Sequence, residues 1–192
     1  NLVKIVSKAS TEGFNYKPRA DHDLLRQYSK GIIALSACIQ GEVPQYILQD
    51  NMDGARRAVE WYIETFGKDN FFLEIQNHGL PEELRAQQVL CQLADEYGLG
   101  IVASNDFHYV MKDDADAQDI RVCIQTGRRR AEVDRLKFPN DEFYLKSGDE
   151  MAELFGHIPG ALENTVKIAD RCNVEFNFDE HHLPHFDVPE GE

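Results

Sequence analysis

Long apolar runs are missing from this 192-residue sequence; stretches such as 31–35 and 100–103 stop within about six residues. A membrane-spanning helix needs roughly 20, so a helical membrane protein is excluded. Basic residues are scarce, 20 Lys and Arg against 34 Asp and Glu, giving a formal charge of −14. A surface of that sign repels phosphate backbones and excludes a general nucleic-acid clamp, so any DNA contact has to be local or supplied by a partner. Cysteine is sparse too: Cys38, Cys91, Cys123 and Cys172 form no CxxC pair. That argues against a disulfide scaffold and a structural zinc knuckle, and points to a reducing, cytoplasmic setting. No initiating Met and no charged segment leading into an apolar stretch is visible, so the chain reads as an excised piece of a longer protein. Also missing are a fixed-period repeat, a low-complexity tract, a phosphate-cradling glycine loop, a nucleophile elbow and a polymerase-type carboxylate pair.

What is present is an alternation of short apolar runs with amphipathic stretches, on a chain long enough for one sizeable core. Such alternation is expected of strand-helix units feeding a parallel sheet or barrel. The β-branched run Gly31 to Ser36 predicts a strand, followed by a helix over Asp53 to Phe66 with Ala55, Ala58, Val59, Tyr62, Ile63 and Phe66 at helical spacing. Phe71 to Ile75 predicts a second strand. Pro81 then opens a helix whose stripe of Leu84, Leu90, Leu93, Ala94 and Tyr97 ends at Gly98. Gly100 to Ser104 predicts a third strand, with a helix over Asp113 to Thr126 carrying Ala117, Ile120, Val122, Cys123 and Ile124. Beyond Gly127 the rhythm changes. Glu142 to Lys146 suggests a short strand, Ser147-x-x-Glu150 a capping box before Met151 to Phe155, and Ala161 to Cys172 a helix burying Ala161, Val166, Ile168, Ala169 and Cys172. The tail from Asn173 reads as a connector.

Parallel β-α folds place their sites at the carboxyl ends of strands. The first run is followed by Cys38, the second by His78, the third by Asp106 and His108. Thiolate, imidazole and carboxylate suit zinc or another divalent transition ion, and Asp-x-His puts both side chains on one side of an extended segment. Each residue also has a plain structural reading: Cys38 as a small buried hydrophobe, His78 as a polar loop residue, Asp106 as a turn cap. His181, His182, His185 and Asp187 have cluster-like spacing but sit in a proline-flanked tail, which reads as a solvated or interface loop. Arg128 to Arg130 reads as a solvated face, and Glu12, Arg19 and Glu42 as second-layer or fold-holding ion-pair candidates.

The ordered blocks Glu12-Gly-Phe-Asn-Tyr-Lys-Pro-Arg19, Ile33-Ala-Leu-Ser-Ala-Cys-Ile-Gln-Gly-Glu42, Phe71-Phe-Leu-Glu-Ile-Gln-Asn-His-Gly79, Val102-Ala-Ser-Asn-Asp-Phe-His-Tyr109, Glu142-Phe-Tyr-Leu-Lys146 and Leu183-Pro-His-Phe-Asp-Val-Pro-Glu-Gly191 resemble the PHP (polymerase and histidinol phosphatase) domain of bacterial DNA polymerase III α subunits. The resemblance runs nearly end to end. It implies an α/β fold, the second half of a distorted (βα)7-type PHP barrel leading into a polymerase connector. On this reading residues 1–127 are the C-terminal part of the barrel, 128–172 the end of the domain, and 173–192 the connector toward the palm. The family's opening His-x-His motif and further ligands would precede this chain. The resemblance places Cys38, Asp106 and His108 on ligands of a divalent metal cluster, zinc with manganese or iron as alternatives, and His78 in a block typical of the α subunit. It further implies membership of a DNA-template-directed polymerase that uses magnesium, contact with DNA through that parent chain, and replicase subunits as partners. Within the family some such domains carry a metal-dependent 3′–5′ exonuclease, whereas others are scaffolds docking a separate proofreading exonuclease. The ligand types present lean toward the former. A free-standing histidinol-phosphatase-like enzyme is disfavoured by the Val-Pro-Glu-Gly connector.

Overall fold

The computed structural model describes residues 1–181 and 183. In chain order its elements are α1 (Leu2–Thr11), α2 (His22–Tyr28), β1 (Ala34–Leu35), α3 (Glu42–Leu48), α4 (Met52–Phe66), β2 (Phe71–Ile75), α5 (Pro81–Tyr97), β3 (Gly100–Ala103), α6 (Ala115–Thr126), α7 (Gly148–Phe155) and α8 (Glu163–Arg171). Among the described residues the strands form one parallel sheet in the order β1-β2-β3, with Ala34 beside Phe71 and Phe72 beside Gly100. No helix among them is long and apolar enough to cross a membrane.

Central β2 alternates buried Phe71, Leu73 and Ile75 with half-buried Phe72 and Glu74, the period-two pattern of a strand covered more fully on one face. Around it pack Val43 and Ile47 of α3, Ala55 and Val59 of α4, Leu90 and Leu93 of α5, and Phe155 at the end of α7. Local chemistry sets the helix ends. The Asn51 side chain accepts the Gly54 N–H at 2.9 Å and opens α4. Pro81 occupies the first turn of α5, where no N–H is needed, and Gly98 closes it in the left-handed conformation at φ 60°. At α7 the Ser147 hydroxyl accepts the Glu150 N–H while the Glu150 carboxylate accepts the Ser147 N–H. Ser147→Ala should therefore lower stability by about 1 kcal/mol, read as a shift in urea midpoint.

The α/β class with a small parallel sheet agrees with the sequence expectation; the described residues form an open sheet, and a full barrel is not seen in them. Several local expectations are corrected. The strand foreseen over Gly31 to Ser36 shrinks to two residues. Ile32 donates to the Ser29 carbonyl in a turn, with Gly31 at φ 77°, and pairing starts only beyond it. Leu84 is 45% exposed, because the register of α5 turns Glu83 and Ala86 inward instead. On α6 Gln118, Val122 and Cys123 are buried, whereas Ala117, Ile120 and Ile124 face solvent. On α8 nothing is buried; Val166 and Cys172 are exposed, and burial falls on Ala161 just before the helix. Glu142 to Lys146 contributes one parallel bridge, Tyr109 with Tyr144, rather than a strand. Helices α1, α2 and α3 were not foreseen. Residues 182 and 184–192, which include His182, His185, Asp187 and half of the expected connector, lie outside the described residues.

Candidate metal centre

The loops after all three strands leave from the same end of the sheet, as the parallel order requires. After β3 the chain makes a tight turn centred on Asp106, the Phe107 N–H donating to the Asn105 carbonyl at 2.6 Å. Asn105 ties it down by donating to the Tyr144 carbonyl at 2.8 Å, and the His108 N–H donates to the Phe143 carbonyl at 2.8 Å. Beyond that turn Asp106 and His108 meet on one side, Oδ1 lying 3.3 Å from Nε2. Both are solvent-accessible, and the His108 ring leans on Phe138 with centroids 4.6 Å apart.

His78, after β2, is set differently. It is 1% exposed; its backbone N–H donates to one Glu83 oxygen at 2.6 Å and Nδ1 lies 2.7 Å from the other. Its carbonyl accepts from Asn140 at 2.7 Å, and its ring stacks on Phe143 at 4.2 Å. Nε2 has no hydrogen-bond partner. Burial pushes the Glu83 carboxyl up, but the hydrogen bonds and charge of His78 outweigh it and hold that carboxyl below its usual range.

After β1, Ala37 takes a left-handed turn, and a Cβ at Gly41 would fall 2.1 Å from the Ser36 carbonyl oxygen, so only glycine closes this loop. The half-buried Cys38 there lines a cavity of about 10 Å³ with Glu74, Gln76, Glu83 and Gln87. Glu74 in turn accepts from the Ser104 hydroxyl, linking the ends of β2 and β3.

Of the sequence candidates, then, Asp106 and His108 are in contact. Cys38 shares a cavity wall with Glu83, the partner of His78, and Phe143 stands between the His78 and His108 rings, 4.2 Å and 6.1 Å from them. Among the described residues no group of three or more His, Cys, Asp or Glu is placed to hold a metal ion. The imidazole and carboxylate pair suits two positions on zinc, manganese or iron, and the described residues do not complete the set. Glu83 was missed by sequence reasoning. An acid in the first turn of a helix reads as dipole compensation, and its bond to a histidine five residues earlier depends on the intervening turn.

Of the remaining candidates Glu12 and Glu42 join pairs that hold the fold, whereas Arg19 joins no ion pair among the described residues. Glu42 accepts from Tyr62 at 3.1 Å and lies 3.0 Å from His22; burial first, then Glu42, pushes the Tyr62 hydroxyl up to about 12. Glu12 pairs with Lys8 at 2.7 Å. Arg128 pairs with Glu132 at 3.1 Å and Arg130 with Asp116, so most of that basic run is neutralised at the surface. His181 is exposed.

Comparison with known proteins adds an independent line. Residues 1–78 match the family model described as PHP domain. The whole chain is similar to DNA polymerase III subunit alpha of Treponema pallidum, 45% identical over 98% of this chain. The subunits named DNA polymerase III subunit alpha from Thermus aquaticus and Deinococcus radiodurans are 44% and 45% identical over 100% of it. The chain spans only 15–16% of the length of these relatives.

Proposed function

Since this chain belongs to the DNA polymerase III α-subunit family, within its PHP domain region, we propose that it is part of a replicative, DNA-template-directed DNA polymerase in which it contributes to a divalent-metal site at the carboxyl ends of its strands. Asp106 and His108 would be ligands and Cys38 a third, with His78 as a further candidate. The observation that carries this reading is the 3.3 Å approach of Asp106 to His108 at the end of β3, open to solvent and braced from behind by Asn105 and Phe138. When bound, a metal there supplies Lewis acidity to a phosphodiester, the chemistry of a 3′–5′ exonuclease. The chain's own part is to present two donors on one side of the tight turn after β3, with Phe138 and Phe143 packed behind His108.

The second reading is a non-catalytic scaffold that stabilises the polymerase and docks a separate proofreading exonuclease. It is favoured by one observation, that no group of three donors lies together among the described residues. In both readings the chain meets DNA through the parent polymerase, whose synthesis would use magnesium, works with other replicase subunits, and resides in the cytoplasm.

Metal content and 3′-end trimming of the parent polymerase, purified without added metal, decide between the two when compared with Asp106→Asn. The metal-site reading expects metal affinity to fall about tenfold or more, with trimming falling in parallel and template-directed synthesis kept. Absence of metal and trimming from both proteins would make the domain a scaffold.

A further inference from the structure

Between the end of α6 and Phe143 the chain runs over residues 128–142 with neither helix nor strand. An irregular stretch of that length is uncommon in a compact domain and usually serves a function. It leaves α6 through Gly127, left-handed at φ 65°, with open space where a Cβ would stand. The chain is firm again at Phe143, whose N–H donates to the Tyr109 hydroxyl at 3.3 Å and whose carbonyl accepts from the His108 N–H at 2.8 Å. Between these two points no residue is buried, and from residue 133 to residue 141 no backbone N–H donates to a backbone carbonyl among the described residues. Rather than packing down, the stretch borders a cleft of about 470 Å³ that it shares with Tyr109, Lys112, Asp116 and Asp119.

What ties it to α6 is ionic. Arg135 grips Asp119 with both terminal nitrogens, at 2.5 and 2.7 Å. Arg130 reaches Asp116 at 3.2 Å and Asp119 at 3.4 Å, so two arginines share the Asp119 carboxylate. Arg135 also donates to the Arg130 carbonyl at 3.3 Å, which joins the two ties. Forked arginine–carboxylate pairs fix geometry well, yet pairs near solvent weaken as salt rises. Beyond these ties the stretch touches the histidines that follow β2 and β3. The Phe138 ring lies 4.6 Å from that of His108, and Asn140 donates to the His78 carbonyl at 2.7 Å. Segments with exposed backbone and few buried apolar contacts open locally while the core stays closed. Here the charges can part between a glycine pivot and a fixed Phe143 without disturbing the sheet or the helices packed on it.

We infer that residues 128–141 are a strap that opens on the Gly127 pivot, latched shut by Asp119 through Arg130 and Arg135, and that opening draws Phe138 off His108 and Asn140 off the His78 carbonyl. The strap stands on this geometry whatever the histidines bind. Its consequence, that an open strap loosens a divalent-metal site, rests on the function proposed above.

The test is hydroxyl-radical footprinting of the full parent polymerase, read by mass spectrometry as side-chain oxidation, on wild type and Asp119→Asn at about 0.05 M and about 0.5 M salt. In wild type the oxidation of Phe138 should rise about threefold with salt. In Asp119→Asn it should be raised by a similar factor at low salt already and respond little further, while the fully buried Phe71 stays unmarked in both. That non-additivity separates a latch from general loosening, and Ser147→Ala, which weakens the α7 cap instead, should leave Phe138 unmoved. Phe138 indifferent to both salt and Asp119→Asn, or rising only together with Phe71, would overturn the strap. Zinc affinity of the same proteins, measured by competition with a chromophoric chelator, should fall about threefold in Asp119→Asn. Zinc bound equally by both proteins, or by neither, with the footprints as expected, would overturn the step that rests on the proposed function and leave the strap standing.

Discussion

Replacing Glu83 with alanine is expected to destabilise the chain by about 3 kcal/mol, although Glu83 lies in none of the strands and belongs to a class of residue that is mostly exposed. Its carboxylate is 4% exposed and accepts both the backbone N–H of His78 and the contact from its Nδ1. Removing it strands two buried polar groups at once, in a place where Phe143 covers the ring and water cannot enter freely. Urea unfolding followed by the emission of Trp61, the single tryptophan of the sequence, would measure the change. A loss under 1 kcal/mol would mean that the pair is loosely held. The pH dependence has a definite sign. A carboxyl held below its usual range contributes stability that is fully present above the unfolded-state value, near 4.3. That contribution fades as pH falls through the lower folded-state value. Wild type and Glu83→Gln should therefore differ most near neutrality and approach each other in urea midpoint only as pH falls below the usual carboxylate range.

Phe71→Ala should cost about 3–5 kcal/mol, the largest effect expected of a single apolar truncation here. Phe71 is fully buried, opens the central strand, and stacks on Tyr62 with centroids 4.9 Å apart. It therefore touches the sheet and α4 at once. Tyr62 also donates to Glu42, so its displacement loosens the hold of α4 on α3 as well. Thermal or urea unfolding would report the loss; a cost near 1 kcal/mol would show that the surrounding helices collapse into the gap. Phe72→Ala, one residue along on the less covered face, should cost clearly less.

The parts of the fold that were legible are those in which a local rule and the tertiary environment agree. In β2 the alternation of Phe71, Leu73 and Ile75 is the burial pattern observed. Pro81 and Gly98 marked the ends of α5 because a missing N–H and a left-handed residue are local requirements. Ser147 and Glu150 announced α7 for the same reason. Where local rules conflict, the reading failed. In α3, Pro44 looks like a breaker, yet it falls in the first turn, where it is tolerated and fully buried. In α1, Leu2, Val3 and Val6 are exposed while Ile5 and Ala9 are buried, so hydrophobicity alone named no inner face.

The candidate site divides along the same line. That an Asp and a His follow the third strand two residues apart is written in the sequence, whereas their meeting involves a tight turn at Asp106 that the two-residue period of an extended backbone does not describe. The family, the α/β class and the order of donor types at the strand ends were likewise present in the linear text. Only the tertiary structure decided that His78 is a buried partner of Glu83 while His108 stands open to solvent, and that Cys38 faces a water-sized cavity. The physical reason is that burial and pairing are properties of surfaces brought together from distant parts of the chain. Asn140 on the His78 carbonyl and Phe143 on its ring come from more than sixty residues away, and no local spacing encodes which face of the ring they will cover.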